Sequence, residues 1–266
     1  VSSVIAKYVR RVDQANSLLC VGLDSDFERL PDRFKPAKSP QFAFNRWIIE
    51  ETHPFVSAYK PNIAFYEARG EAGIRALEQT ANYLREHHPD ILTICDAKRA
   101  DIGSTNQGYV SAIFDRMGFD AVTLNPYLGR EALLPFLERQ DKGCIILCRT
   151  SNPGAGELQD LTVGGKPLWQ IVAERASREW NACGNCMLVA GATYPEELKR
   201  IRALVGEMTL LMPGIGAQGG DVEQTVRAGL NARGKGLIVN SSRGIIFADD
   251  PAEAARTLRD AINVYR

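Results

Sequence analysis

Short apolar runs alternate with longer segments of helical period along almost the whole chain. The runs are Ser17–Leu23, Pro54–Tyr59, Ile91–Cys95, Asp120–Leu124, Gly143–Cys148, Cys186–Val189, Thr209–Met212 and Gly236–Val239. Each is bounded by polar, glycine or proline residues, as a buried strand would be. Between them lie segments with an apolar stripe at helical spacing: Ser39–Glu50, Ala72–His88 stopped by Pro89, Thr105–Met117 stopped by Gly118, Arg130–Arg139 and Pro167–Trp180. Pro195-Glu196-Glu197 and Asp249-Asp250-Pro251 open two more helices, with proline and acids where the helix dipole favours them. The first eleven residues read as a further amphipathic helix, and a glycine-rich stretch, Gly154–Gly165, separates the fifth run from its helix. Eight strand-then-helix units predict an α/β fold, a closed (β/α)8 TIM barrel, with an open doubly wound sheet as the alternative. No composition break marks a linker, so residues 1–266 read as one domain.

Composition sets bounds without choosing a chemistry. The chain has 266 residues, 45% hydrophobic and 24% charged, with 32 basic and 32 acidic side chains. Its formal net charge of zero gives no electrostatic footprint for nucleic acid or an anionic membrane. No apolar run approaches the roughly 20 residues needed to span a bilayer, and the N-terminus lacks a signal-peptide plan. The expectation is a soluble, cytoplasmic protein. Six cysteines are too few for a disulfide scaffold of this length. The single C-x-x-C, Cys183 to Cys186, follows a helix and precedes a strand, the reverse of a redox motif, so its thiols read as structural. His53, His87 and His88 have no partner at metal-ligand spacing and are assigned no chemistry.

The polar residues fall where a barrel keeps its chemistry, at the C-terminal ends of strands. Asp24, Lys60, Asp96, Lys98, Asn125, Ser151, Gln218 and Arg243 all follow directly on strand-like runs. The densest group is Asp96-Ala-Lys98-Arg-Ala-Asp101. Alternation along a strand would point Asp96 and Lys98 the same way. A lysine held between carboxylates keeps its proton, which suits proton donation and makes a poor amine nucleophile. In isolation such a triad reads as a surface salt bridge; its setting among the other strand ends favours a site.

Gly214-Ile-Gly-Ala-Gln-Gly219 matches G-x-G-x-x-G but follows the seventh run and has no acid about 20 residues on, so it is a poor dinucleotide fingerprint. Phosphate in barrels is often held by the loops after strands seven and eight. Glycine backbone N–H groups there, with Gln218 and the Arg243 guanidinium, make a phosphate site.

Taken together, Asp96-Ala-Lys98-Arg-Ala-Asp101-Ile102-Gly-Ser-Thr105, Gly22-Leu-Asp24, Tyr59-Lys60-Pro-Asn62, Thr123-Leu-Asn125-Pro-Tyr127, Pro213-Gly-Ile-Gly-Ala-Gln218-Gly-Gly and Arg243 resemble the orotidine 5′-monophosphate decarboxylases. The extended first loop and Cys148-Arg-Thr-Ser-Asn-Pro153 resemble the longer bacterial-type branch of that family. The resemblance implies a carbon–carbon lyase that converts orotidine 5′-monophosphate to uridine 5′-monophosphate in de novo pyrimidine biosynthesis, without metal or organic cofactor. It implies that Lys60, Asp96, Lys98 and Asp101 form the charged array, with Lys98 the proton donor to a carbanion. Asp24 and Lys60 would hold ribose hydroxyls, Ser151 the pyrimidine, and Gln218 and Arg243 the phosphate; Asn125, Pro213 and Gly219 would join the substrate-binding set. Asp101, Ile102 and Thr105 would reach into the site of a partner subunit, making a homodimer with shared sites. A magnesium-dependent sugar-phosphate decarboxylase or synthase shares the D-x-K-x-x-D element but needs a carboxylate where Lys60-Pro61-Asn62 stands. A silent nucleotide-binding protein would have no use for the lysine–aspartate array.

Overall fold

The computed structural model describes residues 3–192, 195–214 and 221–266. Eight parallel strands close into a barrel: β1 (Leu19–Val21), β2 (Ala58–Tyr59), β3 (Leu92–Arg99), β4 (Ala121–Leu124), β5 (Gly143–Arg149), β6 (Cys186–Ala190), β7 (Leu210–Pro213) and β8 (Leu237–Ser241). β1 pairs with both β2 and β8, which completes the ring and leaves no sheet edge. The closed barrel is therefore the architecture, and the open sheet is excluded.

Helices follow the strands on the outside: α1 (Ser3–Ala15) precedes the barrel, then α2 (Pro40–Thr52), α3 (Gly70–His87), α4 (Gly103–Val110), α5 (Gly129–Leu137), α6 (Leu168–Arg178), α7 (Pro195–Val205), α8 (Val222–Gly229) and α9 (Pro251–Asn263). Their ends carry the local signals expected of them. Pro40 and Pro251 stand in first turns, and the Asp250 carboxylate accepts the Glu253 N–H at 2.9 Å as an N-cap. Gly118, at φ +75°, terminates the segment after α4 in a conformation that disfavours a side chain. α1 seals the N-terminal end of the barrel. Val4, Tyr8 and Val12 are its buried stripe, Tyr8 Oη donates to the Leu237 carbonyl, and Lys7 pairs with Asp120 at 2.7 Å.

Several expected elements differ in form. Of Pro54–Tyr59 only the last two residues join the sheet, because His53–Phe55 forms a 3-10 turn around a proline that has no N–H for a ladder. β3 runs on past Cys95 to Arg99, so its charged residues lie within the strand. The glycine-rich stretch after β5 is ordered: a turn at Pro153–Ala155, a short helix at Gly156–Gln159, and a hairpin of Thr162–Val163 against Lys166–Pro167. Gly164 and Gly165 make its tight turn, both at positive φ.

Candidate active site

A cavity of about 530 Å³ opens at the C-terminal mouth of the barrel, and all eight strands or the residues directly after them line it. A larger groove, about 1070 Å³, lies outside between α2 and α3; it is walled by residues such as Arg46, Trp47 and Arg75, none from a barrel strand. Convergent polar groups distinguish the smaller cavity.

Asp96 is the hub of that cavity. Its Oδ2 accepts from Lys60 Nζ at 2.9 Å and Asn62 Nδ2 at 3.3 Å; its Oδ1 accepts from Lys98 Nζ at 2.7 Å and Thr123 Oγ1 at 2.8 Å. Four donors therefore hold one carboxylate in a fixed orientation. Burial alone would raise the Asp96 pKa, but the Lys60 and Lys98 ammonium groups overcome it and hold the carboxyl well below the usual range. Burial likewise opposes the charge on Lys60, yet Asp96 and then Asp24 keep its pKa above the ordinary lysine value.

The two lysines differ in access. The Lys60 side chain is 5% exposed, while that of Lys98 is 48% exposed and opens on the cavity. Lys60 is thus a fixed counter-charge, and Lys98 is placed to meet a ligand.

Strand alternation does not account for this placement. Cys95 lies opposite Val122 and Arg99 opposite Leu124, so β3 carries two extra residues across that interval. Lys98 sits in this bulge at φ +48°, and its N–H donates to Thr123 Oγ1 at 2.9 Å. The same threonine hydroxyl reaches Asp96, so one β4 side chain fixes both members of the pair.

The remaining predicted residues divide into three groups. Asp24, Ser151, Pro213 and Arg243 line the cavity with the lysines and Asp96. Asp24 Oδ1 accepts the Asn62 N–H at 3.1 Å, which joins the end of β1 to that of β2. Gly191 permits the approach of the β5 loop, since a Cβ there would stand 3.0 Å from the Ser151 nitrogen. A second group lies away from this chain's own cavity lining. Asp101 Oδ1 accepts the Ile102 N–H at 2.7 Å, the Ile102 side chain is 60% exposed, and Thr105 is exposed beside it. Asn125 accepts the Tyr127 N–H at 3.1 Å and lines a neighbouring cavity. The third group, Gln218 and Gly219, lies outside the described residues, as does most of the glycine loop.

Asn62, Thr123 and Asn106 make contacts in or beside the site that the sequence pattern does not assign to them. Asn106 is fully buried; it accepts the Asp101 N–H at 2.8 Å and donates to the Ala132 carbonyl at 2.5 Å, pinning the turn after β3. The first two carry a signal, each being a polar residue near a strand end and close to Lys60 or Asn125 in sequence. Asn106 gave none.

Comparison with known proteins points to one family. A model of the orotidine 5′-phosphate decarboxylase / HUMPS family matches residues 17–258. The orotidine 5′-phosphate decarboxylase of Cellvibrio japonicus is 53% identical over 260 residues, covering 94% of each chain. That of an Azoarcus species is 50% identical, covering 95% of this chain and 96% of the relative. Among solved structures, the OMP decarboxylase of Leishmania donovani superposes with a TM-score of 0.89 at 38% identity, covering 100% of this chain and 99% of the other.

Proposed function

The chain belongs to the orotidine 5′-phosphate decarboxylase / HUMPS family, and from that premise we propose that it decarboxylates orotidine 5′-monophosphate to uridine 5′-monophosphate, a step of pyrimidine biosynthesis. The observation that carries the reading is the Asp96 hub: a buried carboxylate held by one buried lysine and one lysine open to the cavity.

Loss of CO2 breaks a carbon–carbon bond and leaves its electron pair on a ring carbon with no conjugated sink. A fixed positive charge beside that carbon lowers the barrier, and Lys98 supplies it. The Lys98 ammonium then gives its proton to the carbon and regains one from water. Asp96, held ionised, faces the departing carboxylate and keeps Lys98 aimed. Lys60 and Asp24 take ribose hydroxyls. Ser151 meets the pyrimidine, with Pro213 and Asn125 in the substrate-binding set. Arg243, with Gln218, Gly219 and their glycine loop, takes the phosphate, whose remote binding energy favours closure over the site. The positive charge comes from side chains, so the chemistry requires neither metal nor organic cofactor.

Asp101, Ile102 and Thr105 complete the site of a second copy, a reading supported by their place outside their own cavity and by the exposure of Ile102. The enzyme is then a homodimer with shared sites. It works in the cytoplasm, where its six free thiols remain reduced. No helix among the described residues is long and apolar enough to cross a membrane, and the balanced charge gives nucleic acid no purchase.

The magnesium-dependent sugar-phosphate reading is disfavoured by Lys60. Its ammonium stands in the slot where that reading needs a carboxylate, and it pairs with Asp96 at 2.9 Å. The test follows the ultraviolet absorbance of orotidine 5′-monophosphate with purified protein in excess EDTA. Conversion is expected to persist with EDTA and to fall by about 10²–10⁴ in Lys98→Ala, the usual worth of a positioned acid. Turnover of a ketose phosphate only after Mg2+ is restored would overturn the reading.

A further inference from the structure

The segment between β5 and α6 is longer than a barrel turn requires, and one side chain from it returns to the site. Gln159 ends the short helix Gly156–Gln159 and lines the catalytic cavity. It also lines an adjoining apolar cavity of about 620 Å³ that contains Trp169 and Trp180, so with Leu147 it forms a wall common to both.

The contacts of its carboxamide have one polarity. Oε1 accepts the Thr150 N–H at 2.9 Å and Arg149 Nη1 at 3.3 Å. Both partners are obligate donors, so the oxygen must face them and Nε2 must face the other way. Nε2 donates to Thr150 Oγ1 at 2.7 Å. The Thr150 hydroxyl, having accepted there, passes its own hydrogen to Asn152 Oδ1 at 2.7 Å. Asp160, the next residue, makes a second clasp by accepting from Arg149 Nη2 at 3.2 Å. Ser151 stands between Thr150 and Asn152, and all three line the cavity.

We propose that Gln159 is a positioning residue for substrate: its carboxamide holds the Thr150–Asn152 loop in the shape that meets the pyrimidine. The inference rests on the decarboxylase reading and deepens it. Gln159 acts through Thr150 and leaves the charged array untouched, so its loss weakens substrate binding more than the chemical step.

Steady-state kinetics and uridine 5′-monophosphate binding in Gln159→Ala and Gln159→Glu test the proposal. Glutamate has nearly the same size and keeps the acceptor for the Thr150 N–H, but its carboxylate has no hydrogen for Thr150 Oγ1. Both variants are expected to raise KM, and the product dissociation constant, by about tenfold, with kcat changed less than about threefold. Thr150→Val breaks the same relay from its other end, and combining it with Gln159→Ala should add little. It carries the test if Gln159→Ala fails to fold. Leu158→Ala, an exposed position on the same helix, should leave KM unaltered. A parent-like KM in Gln159→Glu would show that donation from Nε2 to Thr150 is not needed, and a loss confined to kcat would place Gln159 in the chemistry; either overturns the proposal. Turnover in the unsubstituted protein with unchanged KM in Gln159→Ala overturns this inference alone. Absence of turnover in the unsubstituted protein overturns the decarboxylase reading and this inference with it.

Discussion

Asp96 is where charge, burial and geometry meet. It and Lys60 are both nearly excluded from water, and a buried charge is tolerated only when paired. Asp96→Asn would leave Lys60 with a neutral neighbour in a site built for an anion. The expected cost in unfolding free energy is about 3–5 kcal/mol, the range for breaking a buried pair from one side. Its pH dependence follows from the shifts. The Asp96 pKa is depressed on folding, so its stabilisation is present above the ordinary carboxylate range and is lost as pH falls toward the folded value. The Lys60 pKa is raised, so its share is present below the ordinary lysine range and is lost only as pH rises through the higher folded value. Urea denaturation of the two proteins should therefore give a constant difference around neutral pH. The gap should shrink only below about pH 3.9, the unperturbed aspartate value. A variant as stable as its parent at neutral pH would contradict this account.

At the scale of elements, the bulge in β3 does what a regular strand cannot. Three residues after Cys95 fit where a regular ladder leaves space for one, so Lys98 turns back to Asp96 through a left-handed backbone at φ +48°. Ala100 follows at φ +154°, a second residue in a region that favours glycine. Strain of this kind persists when neighbours over-determine it, and Thr123 is such a neighbour, bonded to the Lys98 N–H and to Asp96. Thr123→Val keeps the shape and removes both bonds. It should destabilise the fold by about 1–3 kcal/mol and lower kcat/KM as Lys98 drifts. Denaturation curves and turnover assays together check this; unchanged turnover would show that the bulge holds Lys98 without Thr123. The helix expected over Thr105–Met117 shows the same tension between local signal and context: regular turns stop at Val110 and a wider π-helical turn spans Ser111–Arg116.

At the scale of the molecule, the shared site proposed for two copies makes a prediction that no single chain can satisfy. Lys98→Ala and Asp101→Ala should each be inactive alone. In a mixed dimer both defects fall in one site and the other site is whole. Random exchange of equal amounts should therefore restore about one quarter of the unsubstituted activity. Mixing, dilution to allow exchange and a turnover assay would measure it. No recovery despite subunit exchange would mean that Asp101 serves its own chain.

The eightfold alternation of strand and helix, the proline, glycine and aspartate punctuation, and the polar residues that follow seven of the eight apolar runs were legible in the sequence by itself. All are local: they depend on side-chain period, backbone freedom and capping within a few residues. Which polar residues touch was a tertiary matter. Asp96 takes its partners from positions 36, 34 and 27 residues away, brought within reach only by barrel closure and a register shift between β3 and β4. The contrast between a buried Lys60 and an open Lys98 is decided by the same packing, as is the reach of Gln159 from the glycine-rich stretch after β5. Hydrogen bonds between distant residues depend on distances of a few tenths of an ångström, and periodicity along a chain carries no information at that scale.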